Sequence, residues 1–270
     1  MQTLQNGREE ILLTNIDTSS ITFSYSNINS FDNCKYGWYQ TYIERATRDQ
    51  SSFGQFGSFC HKILEKYFRD ELASWELAGY YIDNYYTEIT ESFPPYPQGM
   101  SSAYYDEGLN FFANFNFNKS NYEIISIEEK LNIDYKGYKF VAIPDMVLKN
   151  NLTGFITLLD YKTSKLKNPK YDKLKLKGYA DQLQLYAQFY WWSTGVVVDK
   201  IFLWFIRNQQ FFEIKINSLE TAETLSWVDS VLQNIKSETA WDYNNKNKYF
   251  CQWLCSIRSR CPHTSVNTLT

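Results

Sequence analysis

Asp145, Asp160 and Lys162 are residue types that phosphodiester hydrolysis uses. Two carboxylates can bind a hard divalent cation, and a lysine beside them can hold or activate a water or offset charge on a phosphate. The spacing brings them together. Tyr138 to Leu148 reads as a strand ending near Asp145, Asn150-Asn-Leu-Thr-Gly154 as a turn, and Phe155 to Tyr161 as a second β-prone run, so the pair predicts a hairpin. Residues two apart on a strand share a face, so Asp160 and Lys162 project together and the hairpin carries Asp145 beside Asp160. The same spacing also fits a solvated strand end with an ordinary Asp–Lys pair, so the surrounding elements decide.

Upstream, Phe56, Phe59, Ile63, Leu64, Tyr67 and Phe68 recur at helical spacing, which predicts a helix from Phe53 to about Leu77. It carries His61, which read alone is a solvated or hydrogen-bonded helix residue. Gly79 to Phe117 reads as two aromatic-rich helices around Phe93-Pro-Pro-Tyr-Pro-Gln-Gly99. Those rings either fill a core or offer a stacking platform for unpaired bases. Tyr122 to Ile133 is β-prone and contains Glu128, which directly follows the apolar Ile127. Beyond Lys162, the residues Lys165, Lys167, Lys170, Lys173, Lys175 and Lys177 form a dense positive stretch. It is either a solvated face or, beside a phosphate-cutting site, a nucleic-acid track. A helix over Tyr179 to Trp192 sets Gln182 and Tyr186 on one face. A hairpin over Lys200–Ile206 and Gln210–Ile216 follows, then a helix capped by Ser218 and reaching about Thr239.

Composition narrows the class. The 270 residues are 44% apolar, enough for a sizeable core, and include 22 Tyr, 19 Phe and 8 Trp. Net charge is only −3, so contact with nucleic acid must use a local basic patch. No apolar run is long enough to span a bilayer, and the first residues lack an apolar leader core, which predicts a cytoplasmic protein of a bacterium or a virus-infected cell. In a reducing compartment the five cysteines point to metal ligation rather than disulfides. Cys251, Cys255 and Cys261 cluster at the C-terminus, and Cys34 is the candidate fourth thiolate.

Pro144-Asp145 followed by Asp160-Tyr-Lys162 resembles the PD-(D/E)XK nuclease superfamily. The upstream Gly57-x-x-x-His61 and the downstream Gln182-x-x-x-Tyr186 resemble motifs of its RecB-like branch, in the same order. The four cysteines resemble the iron–sulfur subset, the AddB-type helicase–nuclease subunits and CRISPR-adaptation nucleases. That resemblance implies an α/β fold, a mixed central sheet flanked by helices in a restriction-endonuclease-like core, with the chain ends joined by a cysteine metal site. It implies one nuclease domain over residues 1–270: a mainly helical part over 20–120, the core over 121–216, and a C-terminal helix with the cysteines over 217–270. Implied metal ligands are His61, Asp145, Asp160 and the main-chain carbonyl of Tyr161, holding Mg²⁺ or Mn²⁺, with Glu128 in an outer role. Lys162 positions the water or neutralises charge, and Gln182 and Tyr186 orient site and substrate. Cys34, Cys251, Cys255 and Cys261 hold a [4Fe–4S] cluster. Three residues separate Cys251 from Cys255 where the subset more often has two, which keeps zinc open, with His263 able to replace a thiolate. The implied activity is exonuclease cleavage of DNA ends or single strands. The alternative is a catalytically silent DNA-binding or assembly subunit of a recombination or CRISPR-adaptation complex. A protein partner in recombination, replication or adaptation is compatible with either. No phosphate-binding Gly-x-x-x-x-Gly-Lys-Ser/Thr run is present.

Overall fold

The computed structural model describes residues 16–166, 172–244 and 246–264. Strand β1 (Thr22–Phe23) leads into helices α1 (Tyr25–Asn33), α2 (Lys35–Tyr42), α3 (Ser52–Phe68), α4 (Leu77–Glu88) and α5 (Met100–Ala113). Strands β2 (Tyr122–Ile127), β3 (Leu131–Tyr135), β4 (Tyr138–Ala142), β5 (Met146–Asn150) and β6 (Ile156–Lys162) follow. Helix α6 (Lys173–Thr194), strands β7 (Lys200–Phe205) and β8 (Gln210–Ile214), and helices α7 (Ser218–Ser237) and α8 (Lys248–Trp253) complete the order.

The main sheet has the order β2-β5-β6-β7-β8. Its pairs are antiparallel except β6 with β7, which run parallel because α6 carries the chain back across one face. A second sheet of order β1-β4-β3 lies apart from it. Two predicted strands are therefore divided. Tyr138–Leu148 splits into β4 and β5 in different sheets, because Pro144 has no N–H to continue a ladder. Tyr122–Ile133 splits into β2 and β3 at Glu128, whose φ of 51° ends the extended run.

Side-chain alternation divides the interior. Val147, Leu158, Ile201, Leu203 and Phe205 face one core with α1, α2, α6, α7 and the small sheet. Met146, Leu148, Leu159, Tyr161 and Trp204 face a second core with α3, α4 and α5. With helices on both faces, β6 is buried along nearly its whole length, and its apolar run is continuous rather than alternating. The result is a mixed α/β fold with a mixed sheet flanked by helices, consistent with a restriction-endonuclease-like core.

Local chemistry sets the boundaries. Ser51 caps α3 by accepting from Gly54 N at 3.1 Å, and α3 ends at Phe68, short of Leu77. Asn217 rather than Ser218 caps α7, accepting from Leu219 N. Helix α6 starts earlier than predicted, so Lys173, Lys175 and Lys177 stand on its first turns. Among the described residues, no helix is long and apolar enough to cross a membrane.

Candidate metal centre and catalytic lysine

Helix α3 and the starts and ends of three strands converge on one cluster. His61 projects from α3 with Nδ1 3.4 Å from Asp145 Oδ1 and 3.5 Å from Glu128 Oε1. These three residues can each offer a ligand atom within 4.8 Å of the others. Asp145 enters β5 and is held by two backbone contacts. Its Oδ2 accepts from Tyr161 N at 2.5 Å, and its carbonyl accepts from Glu128 N at 3.0 Å. The turn that gives Glu128 its left-handed backbone thus also aims its carboxylate at His61, while Glu129 points to solvent.

Asp160 and Lys162 share the other face of β6, opposite Tyr161. Asp160 Oδ2 lies 2.6 Å from Lys162 Nζ, at an angle that gives it no aligned hydrogen bond. Lys162 Nζ also donates to Gln182 Oε1 at 3.3 Å, and Gln182 Nε2 donates to the buried Tyr186 hydroxyl at 3.2 Å. Tyr179, one turn before Gln182, places its ring 4.6 Å from Lys162 Nζ and its hydroxyl 2.9 Å from Ser164 Oγ. Tyr179 and the Tyr161 N–H were not among the residues the sequence singled out for these roles. The spacing 179, 182, 186 on one helix face could have pointed to Tyr179.

Charge explains the ionisation. Burial alone would drive His61 towards neutrality, but Asp145, Glu128 and Asp160 outweigh it and raise the imidazole to about 10. Burial raises Asp160 to about 6, with Asp145 adding and Lys162 opposing. Burial also disfavours the charge on Lys162, but Asp160 foremost, with Asp145 and Tyr179, wins and raises its pKa. Three carboxylates against one lysine leave a deficit of two positive charges when His61 is neutral. A divalent cation matches that deficit, and carboxylate oxygens with one imidazole suit a hard ion. The residues present therefore fit such an ion.

Of the predicted ligands, His61 and Asp145 stand in the three-residue cluster. Glu128, assigned an outer role from sequence, stands there too, whereas Asp160 pairs with Lys162. The lysine track is more heavily compensated than its sequence suggests. Lys165 pairs with Glu107 at 2.6 Å and Lys177 with Asp181 at 2.8 Å. Lys175 Nζ donates to the Lys165 carbonyl, and Lys173 is exposed. Lys167 and Lys170 lie outside the described residues.

At the far end of the chain, Cys34, Cys251, Cys255 and Cys261 line one cavity of about 240 Å³. Cys34 caps α2, its Sγ accepting from Gly37 N at 3.4 Å and from Asn244 N at 3.5 Å. Burial first, then the neighbouring thiols, raises Cys251, and burial is the leading cause for Cys255 and Cys261 as well. His263 stacks flat on Tyr243 at 3.6 Å beside this cavity. Cys60 is buried in the α3 core, apart from the four.

Fold and site together are those of a nucleic-acid phosphodiester hydrolase. Residues 22–262 match the sequence profile of the PD-(D/E)XK nuclease superfamily, and the chain belongs to that superfamily. Among solved structures it is similar to a protein of Eubacterium rectale provisionally named an exonuclease, with 16% identity over 90% of this chain and 91% of that one and a TM-score of 0.49. It is also similar to SSO0001, with 19% identity over 75% of this chain and 81% of that one and a TM-score of 0.34. No curated protein matches it.

Proposed function

We propose that this protein is a metal-dependent deoxyribonuclease, an exonuclease acting on DNA ends or single strands as one nuclease domain. The observation that carries this reading is the convergence of His61, Glu128 and Asp145 beside the Asp160–Lys162 pair, short of two positive charges. His61, Glu128 and Asp145 would hold Mg²⁺ or Mn²⁺, with Asp160 and the Tyr161 carbonyl as further donors. A bound ion of this kind polarises a phosphate and acidifies a water. Asp145 is fixed for its task by the Tyr161 N–H. Asp160 foremost, with Asp145, raises the Lys162 pKa against burial in the ion-free protein, and its ammonium group would offset the negative charge that builds on phosphate oxygens. Gln182, steadied by Tyr186, aims the ammonium group.

The cysteine cavity holds a [4Fe–4S] cluster in this reading. What supports this reading is that four thiols from both halves of the chain line one cavity of about 240 Å³. Anaerobic purification should give a brown protein with iron and sulfide in equal amounts. A colourless, iron-free protein carrying stoichiometric zinc would overturn the cluster.

The nuclease reading is tested with end-labelled single- and double-stranded DNA and Mg²⁺ or Mn²⁺, comparing wild type with Lys162→Ala. Cutting should require the ion and fall by at least about 10²-fold in the variant, the scale of one lost transition-state donor. A wild type that binds DNA with its cluster intact but never cuts would make it a silent binding subunit.

A further inference from the structure

A groove of about 520 Å³ begins where the catalytic strand ends. Thr163 and Lys165, which follow Lys162 directly, form one wall. Tyr104 of α5, Phe53 of α3 and Tyr249 of α8 form the others, and Arg207 closes the floor. Asn208 fixes the first wall, its side chain both accepting from Leu166 N and donating to Leu166 O.

Helix α3 sets the distance to the metal centre. Phe53, Gly57 and His61 are spaced four apart, so one helix face runs from groove to ligand. The axial separation of Phe53 and His61 is about 12 Å. Gly57 lets this face lie against the catalytic loop, since a Cβ there would stand 3.3 Å from Thr163 Oγ1. The groove therefore lies about two helical turns from the candidate ligand, within the reach of a short stretch of strand.

Its lining has two chemistries. Phe53 packs edge-on against Phe93 and Tyr104, each at 5.4 Å, and lies 6.4 Å from Tyr249, a residue 42% exposed. Arg207 stacks its guanidinium 3.5 Å from the Tyr104 ring centre. Glu107 pairs with both Arg207 and Lys165, so one carboxylate faces two cations and the balance stays positive. An exposed ring backed by further rings, with surplus positive charge beside it, suits bases linked by phosphates. Paired bases keep their faces inside the duplex stack, so these rings serve unpaired ones.

We infer that this groove holds the unpaired nucleotides flanking the scissile phosphate. Phe53 and Tyr249 stack a base, and the one surplus charge of the Arg207–Glu107–Lys165 cluster offsets its phosphate. The inference rests on the nuclease reading and narrows it to substrates with a single-stranded segment at the site.

The test walks one abasic position along a labelled single strand and measures binding by fluorescence anisotropy with Ca²⁺ present. Wild type should bind about 5- to 150-fold more weakly when the missing base is the stacked one. Tyr249→Ala and Phe53→Ala should bind the intact strand more weakly and lose that positional sensitivity, while Tyr249→Phe should retain it. The two residues sit on different elements, so a shared result is not one local misfold. Equal wild-type binding at every abasic position, or undiminished sensitivity in both alanine variants, would overturn the groove. Hydrolysis of bis(4-nitrophenyl) phosphate by the wild type, a diester too short to span both sites, separates the two readings. If it is hydrolysed with Mn²⁺ while the abasic walk is flat, the groove falls and the nuclease stands. If neither it nor DNA is cut, both fall.

Discussion

His61 is the residue through which pH would reach the candidate metal centre. Its imidazole is raised from 6.5 to about 10 by the carboxylates around it, so at neutral pH it carries a proton that a cation must expel. The sign follows: lower pH fills the ligand and weakens metal binding. Between pH 6 and 8 the Mn²⁺ dissociation constant should tighten by up to about tenfold per pH unit, one proton leaving per ion. Titration calorimetry in two buffers of different ionisation enthalpy counts that proton, and a pH-independent affinity would contradict the assignment. In the cation-free protein the same proton stabilises the fold. That contribution is fully present below about 6.5 and is lost as pH rises through about 10. Glu128 was legible only as a candidate carboxylate. Its positive φ and its N–H to the Asp145 carbonyl lift it into the cluster, and neither follows from its neighbours in sequence.

The hairpin of α4 and α5 makes a contrasting prediction at the scale of elements. Gly108 of α5 meets α4 so closely that a Cβ would lie 2.3 Å from the hydroxyl of Tyr81. Tyr81 is fully buried and donates to the Tyr105 carbonyl at 3.1 Å, so it has little room to yield. Gly108→Ala should cost about 1–3 kcal/mol through overpacking. Gly79 of α4 meets nothing within 4 Å. Gly79→Ala should instead stabilise by about 0.5–1 kcal/mol through the backbone entropy glycine loses in a helix. Thermal melts of the two variants should move in opposite directions. Hydrogen bonds also tie α1 and the loop before α3 to the C-terminal cysteine segment: Asp49 accepts from Ser259 N and Oγ at 2.8 and 2.7 Å, and Asn244 Nδ2 donates to the Asn33 carbonyl. The cysteine cavity is therefore built partly by protein contacts.

Across the whole molecule, a net charge of −3 makes nucleic-acid affinity depend on a few local cations. Lys173 is exposed on the first turn of α6, whereas Lys177 is bound to Asp181 at 2.8 and 2.9 Å. Lys173→Ala should reduce the slope of log affinity against log salt by about 0.7 for single strands, one phosphate contact. Lys177→Ala should reduce it less, because its charge is already spent within the protein. A salt series of binding measurements on both variants decides this, and equal slopes would contradict the difference drawn between them.

What the sequence by itself determined is local: the helices, the hairpin and the order in which the candidate site residues occur. Helical recurrence over Phe56 to Phe68, the hairpin around Asn150–Gly154, and the pattern Pro144-Asp145, Asp160-x-Lys162, Gln182-x-x-x-Tyr186 are local, and local patterns are read from neighbours. Tertiary structure decided which parts of a run belong together. Tyr138–Leu148 looked like one strand; Pro144 breaks it, and which sheet each half then joins is chosen by packing partners far along the chain. It likewise decided which charges are available. Lys165 and Lys177 read as members of an open basic track until Glu107 and Asp181 came within 3 Å of them. Electrostatics falls off over distances in space, not along the chain, so the character of each ionisable group was settled only when the fold chose its neighbours.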